Sequence, residues 1–201
     1  MIKYNGVQEA VKQFKLGNFV VIVDEDREGE ADLIVLGEKA TPKKIAFIIN
    51  NTSGILCIAT TKEYKEKFGL KHMVENNTDR FNTNFLISID HKNSHTGVSA
   101  VDRCKTVQAF CFSDDPDIFT NPGHMFPLLA RDRLLKERKG HTEASITLCE
   151  LAGKKKVAVL SELMNKNGTT MDKKRAYAFS RKNNIPIVSI GQLYKFSSSI
   201  S

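Results

Sequence analysis

Four short runs of apolar residues do most to limit how this chain can fold. Each is four to six residues long, too short for a helix, rich in β-branched side chains and without polar alternation. Such runs are typical of strands buried on both faces of a sheet. Segments with helical spacing of apolar residues precede and separate them, the first being Val7–Leu16. The runs are Phe19–Val23, Ile55–Ala59, Val157–Leu160 and Ile185–Ile190.

This alternation predicts an α/β (α+β) fold, a single domain over residues 1–196 in which helices flank a mixed sheet. The serine-rich tail, 197–201, is predicted to be disordered. Further strands are expected at Leu33–Leu36 and Phe85–Ile89, and a loop around Pro116, Pro122, Gly123 and Pro127. Further helices are expected from Thr41 to beyond Ile49, from Thr61 to Gly69, and at Ser99–Phe112, Ala144–Leu151 and Asp172–Lys182.

Composition limits the class of protein. The chain has 201 residues, 41% of them hydrophobic, which suffices for a buried core without disulfide support. Its four cysteines are far apart and form no CxxC pair, so neither a zinc knuckle nor a disulfide framework is indicated, and the thiols are expected to be reduced and buried. Met1–Gly6 lacks a leader pattern, and no apolar run is as long as a membrane span. A cytoplasmic protein without a membrane partner is expected.

The charge balance leaves the partner open. A formal net charge of +7 suits nucleic acid, a membrane surface or a phosphorylated small molecule, and it also suits a merely solvated basic face. The chain has no tryptophan, no aromatic RNA-binding stretch and no zinc-finger spacing. These absences predict that nucleic acid is not the partner.

The segment Asp24–Asp32 concentrates six carboxylates in nine residues directly after the first apolar run. Such a cluster is repulsive unless a cation or basic side chains neutralise it. Magnesium and manganese prefer oxygen ligands, and Mg²⁺ takes only one or two protein carboxylates. The spacing does not match a calcium loop. The segment therefore indicates either a divalent metal site or an exposed, solvated loop.

The segment Arg138–Thr142 has the composition of an anion site. Positive side chains, a glycine and a hydroxyl stand immediately before a predicted helix, where free backbone N–H groups favour phosphate. His141 could ligate a metal, transfer protons or simply bond its neighbours. Thr142 could be the N-cap of the helix.

Two other polar residues stand where they could take part in catalysis. His124 lies between turn residues in the segment 121–127, and Glu162 follows a predicted strand, where it could act as a general base. A hydrogen-bonded loop histidine and a salt-bridged glutamate are the alternatives.

In this order along the chain, these segments resemble the 3,4-dihydroxy-2-butanone 4-phosphate synthase family. The resemblance extends from about Val7 to Leu193. It rests on Asp24–Ile34, Ser53–Cys57, Thr96–Ala100 with Asp102 and Arg103, Pro122–Pro127, Gly140–Ala144, and Glu162 and Leu163 before Gly168 and Thr169.

The resemblance implies a lyase of riboflavin biosynthesis, which converts ribulose 5-phosphate to 3,4-dihydroxy-2-butanone 4-phosphate and formate through a metal-stabilised enediolate. It also implies Mg²⁺ or Mn²⁺, two ions per site, and a homodimer with its sites at the subunit interface. Glu28 and His141 match the metal ligands, while His124 and Glu162 match residues essential for catalysis. The residues that match substrate contacts are Arg27, Glu28, Asp32, Arg138, Lys139, Gly140, His141, Thr142 and Glu162.

Gly29 and Ala31 depart from the commonest bacterial pattern, which has Asn and Gly there, and a Cβ at position 31 requires a compatible backbone. Two other hypotheses remain at this point. One is a basic RNA- or partner-binding module that has this fold without catalysis, and the other is a different sugar-phosphate lyase or isomerase with the same metal chemistry.

Overall fold

The computed structural model describes residues 6–200. Residues 1–5, on which part of the leader prediction rests, and Ser201 lie outside this range. Within it, seven α-helices flank one mixed sheet of seven strands, which confirms the predicted fold class. Among these residues, no helix is both long and apolar enough to cross a membrane.

The sheet mixes parallel and antiparallel neighbours. Its strand order is β4-β5-β3-β6-β2-β1-β7. Strands β1 and β2 form an antiparallel pair, whereas β1 and β7, and likewise β3 and β5, run parallel. The strands are β1 (Val20–Val23), β2 (Ala31–Leu36), β3 (Cys57–Thr60), β4 (Ile89–His91), β5 (Phe119–Leu129), β6 (Ala158–Glu162) and β7 (Ile187–Ser189).

Helix starts agree well with the capping residues in the sequence. The side chains of Thr41, Ser99 and Asp172 each accept a backbone N–H bond at the start of a helix, whereas Thr61 makes no such bond. The helices are α1 (Val7–Lys15), α2 (Pro42–Asn51), α3 (Lys62–Lys67), α4 (Ala100–Phe112), α5 (His141–Leu151), α6 (Lys173–Asn183) and α7 (Ile190–Ser199).

Two apolar layers cover the two faces of the sheet. On β1, Val21 and Val23 belong to one layer, with α2 and α4, while Val20 and Ile22 belong to the other, with α1 and α5. Every residue of β1 is therefore buried. This burial explains why the strand sequences are continuously apolar rather than alternating.

The predicted loop around Pro122 and Pro127 is wrong. These residues lie in β5, which pairs with β3 on one side and β4 on the other. Pro127 has no N–H to donate, but its carbonyl accepts the N–H of Leu86. Sheet pairing therefore outweighs the local preference of proline and glycine for turns.

Three other boundaries differ from the sequence prediction. Phe85–Ile89 is not a continuous strand, because only Ile89 belongs to β4 and Phe85 forms an isolated bridge with Leu128. Helix α5 starts at His141 rather than Ala144. Helix α7 was not predicted, and it continues through residues 197–199 of the tail expected to be disordered.

Candidate active site

The acidic segment is the connection between β1 and β2. Asp24 is buried, and its Oδ1 accepts the backbone N–H groups of Asp26 and Arg27 at 3.1 and 3.0 Å. Gly29 has φ +73°, a left-handed conformation that glycine and asparagine adopt more readily than other residues, so it fits the turn. Ala31 is already in β2, where a Cβ is compatible with the backbone. The connection is thus a tight turn.

This turn places Glu28 against the first residue of α5. Glu28 Oε2 lies 3.2 Å from Nδ1 of His141, and Asp32 Oδ1 lies 3.7 Å from the same nitrogen. His141 is 6% exposed, and its Nε2 has no hydrogen-bond partner among the described residues. Asp32 Oδ1 is likewise buried without a hydrogen bond. The unpaired Asp32 oxygen, together with the Glu28 oxygen beside His141 Nδ1, gives this cluster the donor atoms that a divalent cation binds.

The electrostatics of this cluster are strongly perturbed. Burial raises the pKa of Asp32 to about 7, with help from the charges of Glu162 and Glu28 and against that of His141. Burial opposes the protonated form of His141, but the charge of Asp32 and the hydrogen bond with Glu28 prevail and raise its pKa to about 9. Burial also raises the pKa of Glu28, yet the His141 bond and charge outweigh it, and the pKa ends below its usual value. The imidazolium of His141 thus interacts with several carboxylates at once.

Glu162 faces this cluster from the neighbouring strand. It is the last residue of β6 and lies opposite Asp32 in the antiparallel pairing with β2. Its Oε2 accepts a hydrogen bond of 2.6 Å from Ser53 Oγ. Cys57, on β3, lines the same pocket, and burial together with the charges of Glu162 and Asp32 raises the pKa of its thiol well above the usual value. Glu162 is therefore fixed by a hydroxyl rather than a salt bridge.

A buried ion pair shapes the turn before α5. Arg138 Nη1 lies 2.7 Å from Glu143 Oε2, and Glu143 is 1% exposed. Gly140 is the N-cap of α5, and a Cβ there would lie 2.1 Å from Arg138 Nη1, so only glycine leaves room for the pair. Thr142 is consequently in the first turn of the helix, and the N-cap role considered for it is wrong.

Most of the proposed site residues meet in one cavity of about 450 Å³. Its lining includes Glu28, Asp32, Arg138, His141, Thr142 and Glu162. Arg27 does not line the cavity but donates to the carbonyl oxygens of Lys139 and Phe81.

The cavity is also lined by a segment that was not predicted from the sequence, Arg80–Phe85, through Arg80, Phe81, Thr83 and Phe85. Arg138 holds this segment, because its Nε donates to the carbonyl of Phe81 and its Nη2 to Thr83 Oγ1. Arg80 lies over the Phe81 ring, 5.4 Å from its centroid, and has no ion-pair partner within residues 6–200. Arg80 and Phe81 lie in a turn, in which the backbone N–H of Asn82 donates to the carbonyl of Asp79. The turn residues Asp79 and Asn82, and the arginine beside an aromatic residue, are the signals that the sequence offers for this segment.

His124 is not brought to this cavity. It lies on β5, four residues before the lining residue Leu128, which corresponds to about 13 Å along an extended strand. Its side chain is 44% exposed and paired with Asp90, whose Oδ2 lies 2.7 Å from its Nδ1.

Within the part of the chain described, no three His, Cys, Asp or Glu side chains form a ready metal cage. A metal ion bound here would therefore take only a few ligands from the protein. Water and substrate would supply the others, as is usual for Mg²⁺.

Comparison with known proteins agrees with this geometry. A sequence model of the 3,4-dihydroxy-2-butanone 4-phosphate synthase family matches residues 8–196. The chain belongs to this family. A member from Cupriavidus pinatubonensis is 41% identical over 190 residues, which cover 93% of this chain and 85% of that protein.

Two further relatives of this chain are longer than it is. The 3,4-dihydroxy-2-butanone 4-phosphate synthase of Helicobacter pylori is 38% identical over 94% of this chain but only 56% of its own length. The riboflavin biosynthesis protein RibBA of Bacillus subtilis is 37% identical over 96% of this chain and 49% of its own length. The chain thus spans about half the length of these two curated relatives.

Solved structures of the family have the same fold. A 3,4-dihydroxy-2-butanone 4-phosphate synthase crystallised in complex with two magnesium ions superposes with a TM-score of 0.93 and 32% identity, and covers 98% of both chains. The enzyme of Candida albicans gives a TM-score of 0.89 at 34% identity, over 96% of this chain and 97% of that one.

Proposed function

We propose that this chain converts ribulose 5-phosphate to 3,4-dihydroxy-2-butanone 4-phosphate and formate, as a cytoplasmic enzyme that requires Mg²⁺ or Mn²⁺. The observation that carries the proposal is the pairing of Glu28 with His141 in the wall of a cavity that Asp32 and Glu162 also line. Family membership supports the substrate and products, and four buried free thiols support the cytoplasmic location.

Glu28 and His141 fit a magnesium site. Neighbouring ligands of an octahedral ion with bonds of about 2.1 Å stand about 3 Å apart, and Glu28 Oε2 and His141 Nδ1 are 3.2 Å apart. The relative crystallised with two magnesium ions supports two ions per site here. When bound, Mg²⁺ polarises substrate oxygens and so makes protons next to the carbonyl more acidic.

The protein residues bind the substrate and move its protons. The Arg138–Thr142 turn, with its N–H groups at the start of α5, binds the phosphate, and Lys139 and Arg27 add positive charge beside it. Asp32 contacts substrate hydroxyls from β2. Glu162, oriented by Ser53, exchanges protons with the substrate carbons from the opposite strand.

Formate release tests the activity. Purified protein with ribulose 5-phosphate and Mg²⁺ should produce formate, EDTA should stop it, and added Mg²⁺ should restore it. Glu28→Gln and His141→Ala should each abolish turnover. Loss of the pentose phosphate without formate would instead indicate another sugar-phosphate lyase or isomerase. No reaction with or without metal would contradict the proposal and favour a non-catalytic binding module.

We further propose a homodimer in which His124 of one subunit completes the cavity of the other. His124 is absent from the cavity of its own chain. Exposed apolar side chains lie in the same region, because Gly97 packs against His124, and next to it are Val98, 47% exposed, and Val101, 62% exposed. Such apolar surface is typical of a subunit interface.

Mixing two inactive variants tests this arrangement. His124→Ala and Glu162→Gln should each be inactive alone. When unfolded together and refolded at equal concentrations, half of the dimers should be mixed and contain one intact site, which restores about a quarter of the wild-type rate. No recovery, with dimers confirmed by light scattering, would place His124 and Glu162 in a site within one chain.

A further inference from the structure

His124 is held by a buried carboxylate that the sequence analysis did not assign. Asp90, on β4, is 8% exposed and uses both oxygens on this one residue. Its Oδ1 accepts the backbone N–H of His124 at 3.0 Å, and its Oδ2 lies 2.7 Å from the ring Nδ1. Two bonds from one carboxylate fix both the backbone and the ring of His124.

The surrounding chain is built around this pair. Gly97 has φ +80°, and a Cβ there would lie 2.0 Å from Asp90 Oδ2 and 2.7 Å from His124 Nδ1. Gly123, next to the histidine, packs so closely on β4 that a Cβ would lie 2.1 Å from the carbonyl carbon of Ile89. Only glycine allows these approaches, so the pair has a defined geometry.

Asp90 lies close to the guanidinium of Arg103. Burial lowers the pKa of the nearby Arg103 guanidinium, and the negative charge of Asp90 opposes that shift, so the two groups interact. Arg103 Nη1 is bonded to the carbonyl of Gly54, which holds the cation in place. Carboxylate oxygens accept hydrogen bonds, as Oδ1 does from the His124 backbone N–H, so we assign Nδ1 of His124 as the donor to Oδ2.

We propose that Asp90 is a positioning residue that keeps the Nδ1 of His124 protonated and thereby presents Nε2 as a proton acceptor. Within residues 6–200, Nε2 makes no hydrogen bond, and the ring is 44% exposed. A neutral imidazole has one donor and one acceptor nitrogen, so the bond to Asp90 decides which is which. The geometry of the pair stands by itself, whereas its effect on turnover rests on the proposed function.

Asp90→Asn gives a specific prediction. The asparagine Oδ1 keeps the bond from the His124 backbone N–H, which leaves its amide nitrogen facing Nδ1 of the ring. An amide nitrogen is only a donor, so the ring proton should move from Nδ1 to Nε2 and remove the acceptor. Since general base catalysis contributes about 100-fold or more, kcat should fall by at least about 100-fold, with KM nearly unchanged. Asp90→Glu keeps a carboxylate and should recover much of the loss.

Nitrogen NMR with histidine-selective labelling measures the tautomer without relying on activity. The chain has five histidines, and comparison with His124→Gln assigns the relevant signals. In mildly alkaline buffer, the wild type should show protonated Nδ1 and unprotonated Nε2, and Asp90→Asn the reverse. Asp115→Asn, which removes the ion pair with Lys92, is the matched control and should change neither the spectrum nor kcat.

Three outcomes would overturn the proposal. They are a wild-type His124 protonated at Nε2, an Asp90→Asn protein that keeps the wild-type tautomer, and an exchanged tautomer with unchanged kcat. The first can be seen without any variant, so misfolding of Asp90→Asn does not obscure it. If no form of the protein released formate, the proposed function would fail, while the spectra would still test the geometry of the pair.

Discussion

Asp32 and Glu162 lie directly opposite each other on β2 and β6, so two carboxylates face one cavity from adjacent strands. The sheet register holds them there, although like charges across a strand pair are destabilising. Burial raises the pKa of Asp32 to about 7, and the charge of Glu162 adds to this rise while that of His141 opposes it. Function and stability are therefore opposed at this position.

We expect Asp32→Asn to stabilise the metal-free protein. The folded-state pKa of about 7 lies above the unfolded value of about 3.9, so the fold favours protonated Asp32. The contribution of protonated Asp32 to the free energy of unfolding is fully present below about pH 4. It is lost as the pH rises to about 7. The variant should gain on the order of 3 kcal/mol at pH 8 and much less at pH 5. Urea unfolding in EDTA measures the gain, and an equal effect at both pH values would contradict it.

Glu28→Gln should weaken metal binding by about 100-fold, because it removes a charged ligand and keeps the side-chain shape. Binding of Mn²⁺, followed by electron paramagnetic resonance, measures this without substrate. Asp26→Asn removes the same charge from the same turn but has no contact with His141, and should bind Mn²⁺ almost as the wild type does. Equal weakening in both variants would show that the charge of the turn, rather than a ligand, binds the ion.

Arg80→Ala should raise the KM for ribulose 5-phosphate about tenfold and leave kcat within about threefold, because one charged contact is worth about 1.4 kcal/mol. Arg138 already gives all three of its nitrogens to Phe81, Thr83 and Glu143, whereas Arg80 faces the cavity without an ion-pair partner in the described residues. Steady-state kinetics measures the change. Arg133→Ala, at an exposed position paired with Glu137, is the control and should have no effect.

The four cysteines should not react with a disulfide reagent at pH 8 in the native protein. Burial raises the pKa of Cys111 to about 12 and that of Cys57 well above its usual value, so little thiolate forms. All four thiols should react after denaturation in guanidinium chloride. A rapidly reacting thiol in the native state would show that the cavity wall at Cys57 opens.

Gly140→Ala should destabilise the protein by about 3 kcal/mol, because the new Cβ displaces Arg138 and leaves Glu143 buried without its partner. Urea unfolding measures the loss. Gly191→Ala is a matched control: it places a methyl group in α7 at 3.8 Å from Ser189 Oγ, an ordinary contact, and should cost nothing.

Local sequence patterns correctly predicted the strands and helix starts that depend on neighbouring residues. The apolar runs located β1, β3 and β6, and Thr41, Ser99 and Asp172 marked helix starts. Long-range pairing decided the rest. Pro122 and Pro127 indicated a loop, yet β3 and β4 draw this segment into the sheet.

The residues of the candidate site also fall into two groups, those that local sequence patterns indicate and those that only long-range contacts bring into place. His141 and Glu162 stand at the ends of elements, and Glu28 lies in the turn between two strands, where their chemistry can be recognised in the sequence. The local sequence does not indicate the roles of Arg80 and Asp90. Their contacts with the cavity and with His124 depend on how distant segments fold together.

The position of β1 and β2 has a consequence for how the protein is made. This hairpin is synthesised early, but its sheet neighbours are β6 and β7, near the other end of the chain. Glu28 leaves the ribosome 113 residues before His141, so the acidic turn is synthesised well before the histidine that pairs with it. Until β7 arrives, β1 has an open edge that can pair with other strands. The cavity itself cannot form before α5 and β6 have been synthesised, because they contribute His141 and Glu162 to its lining.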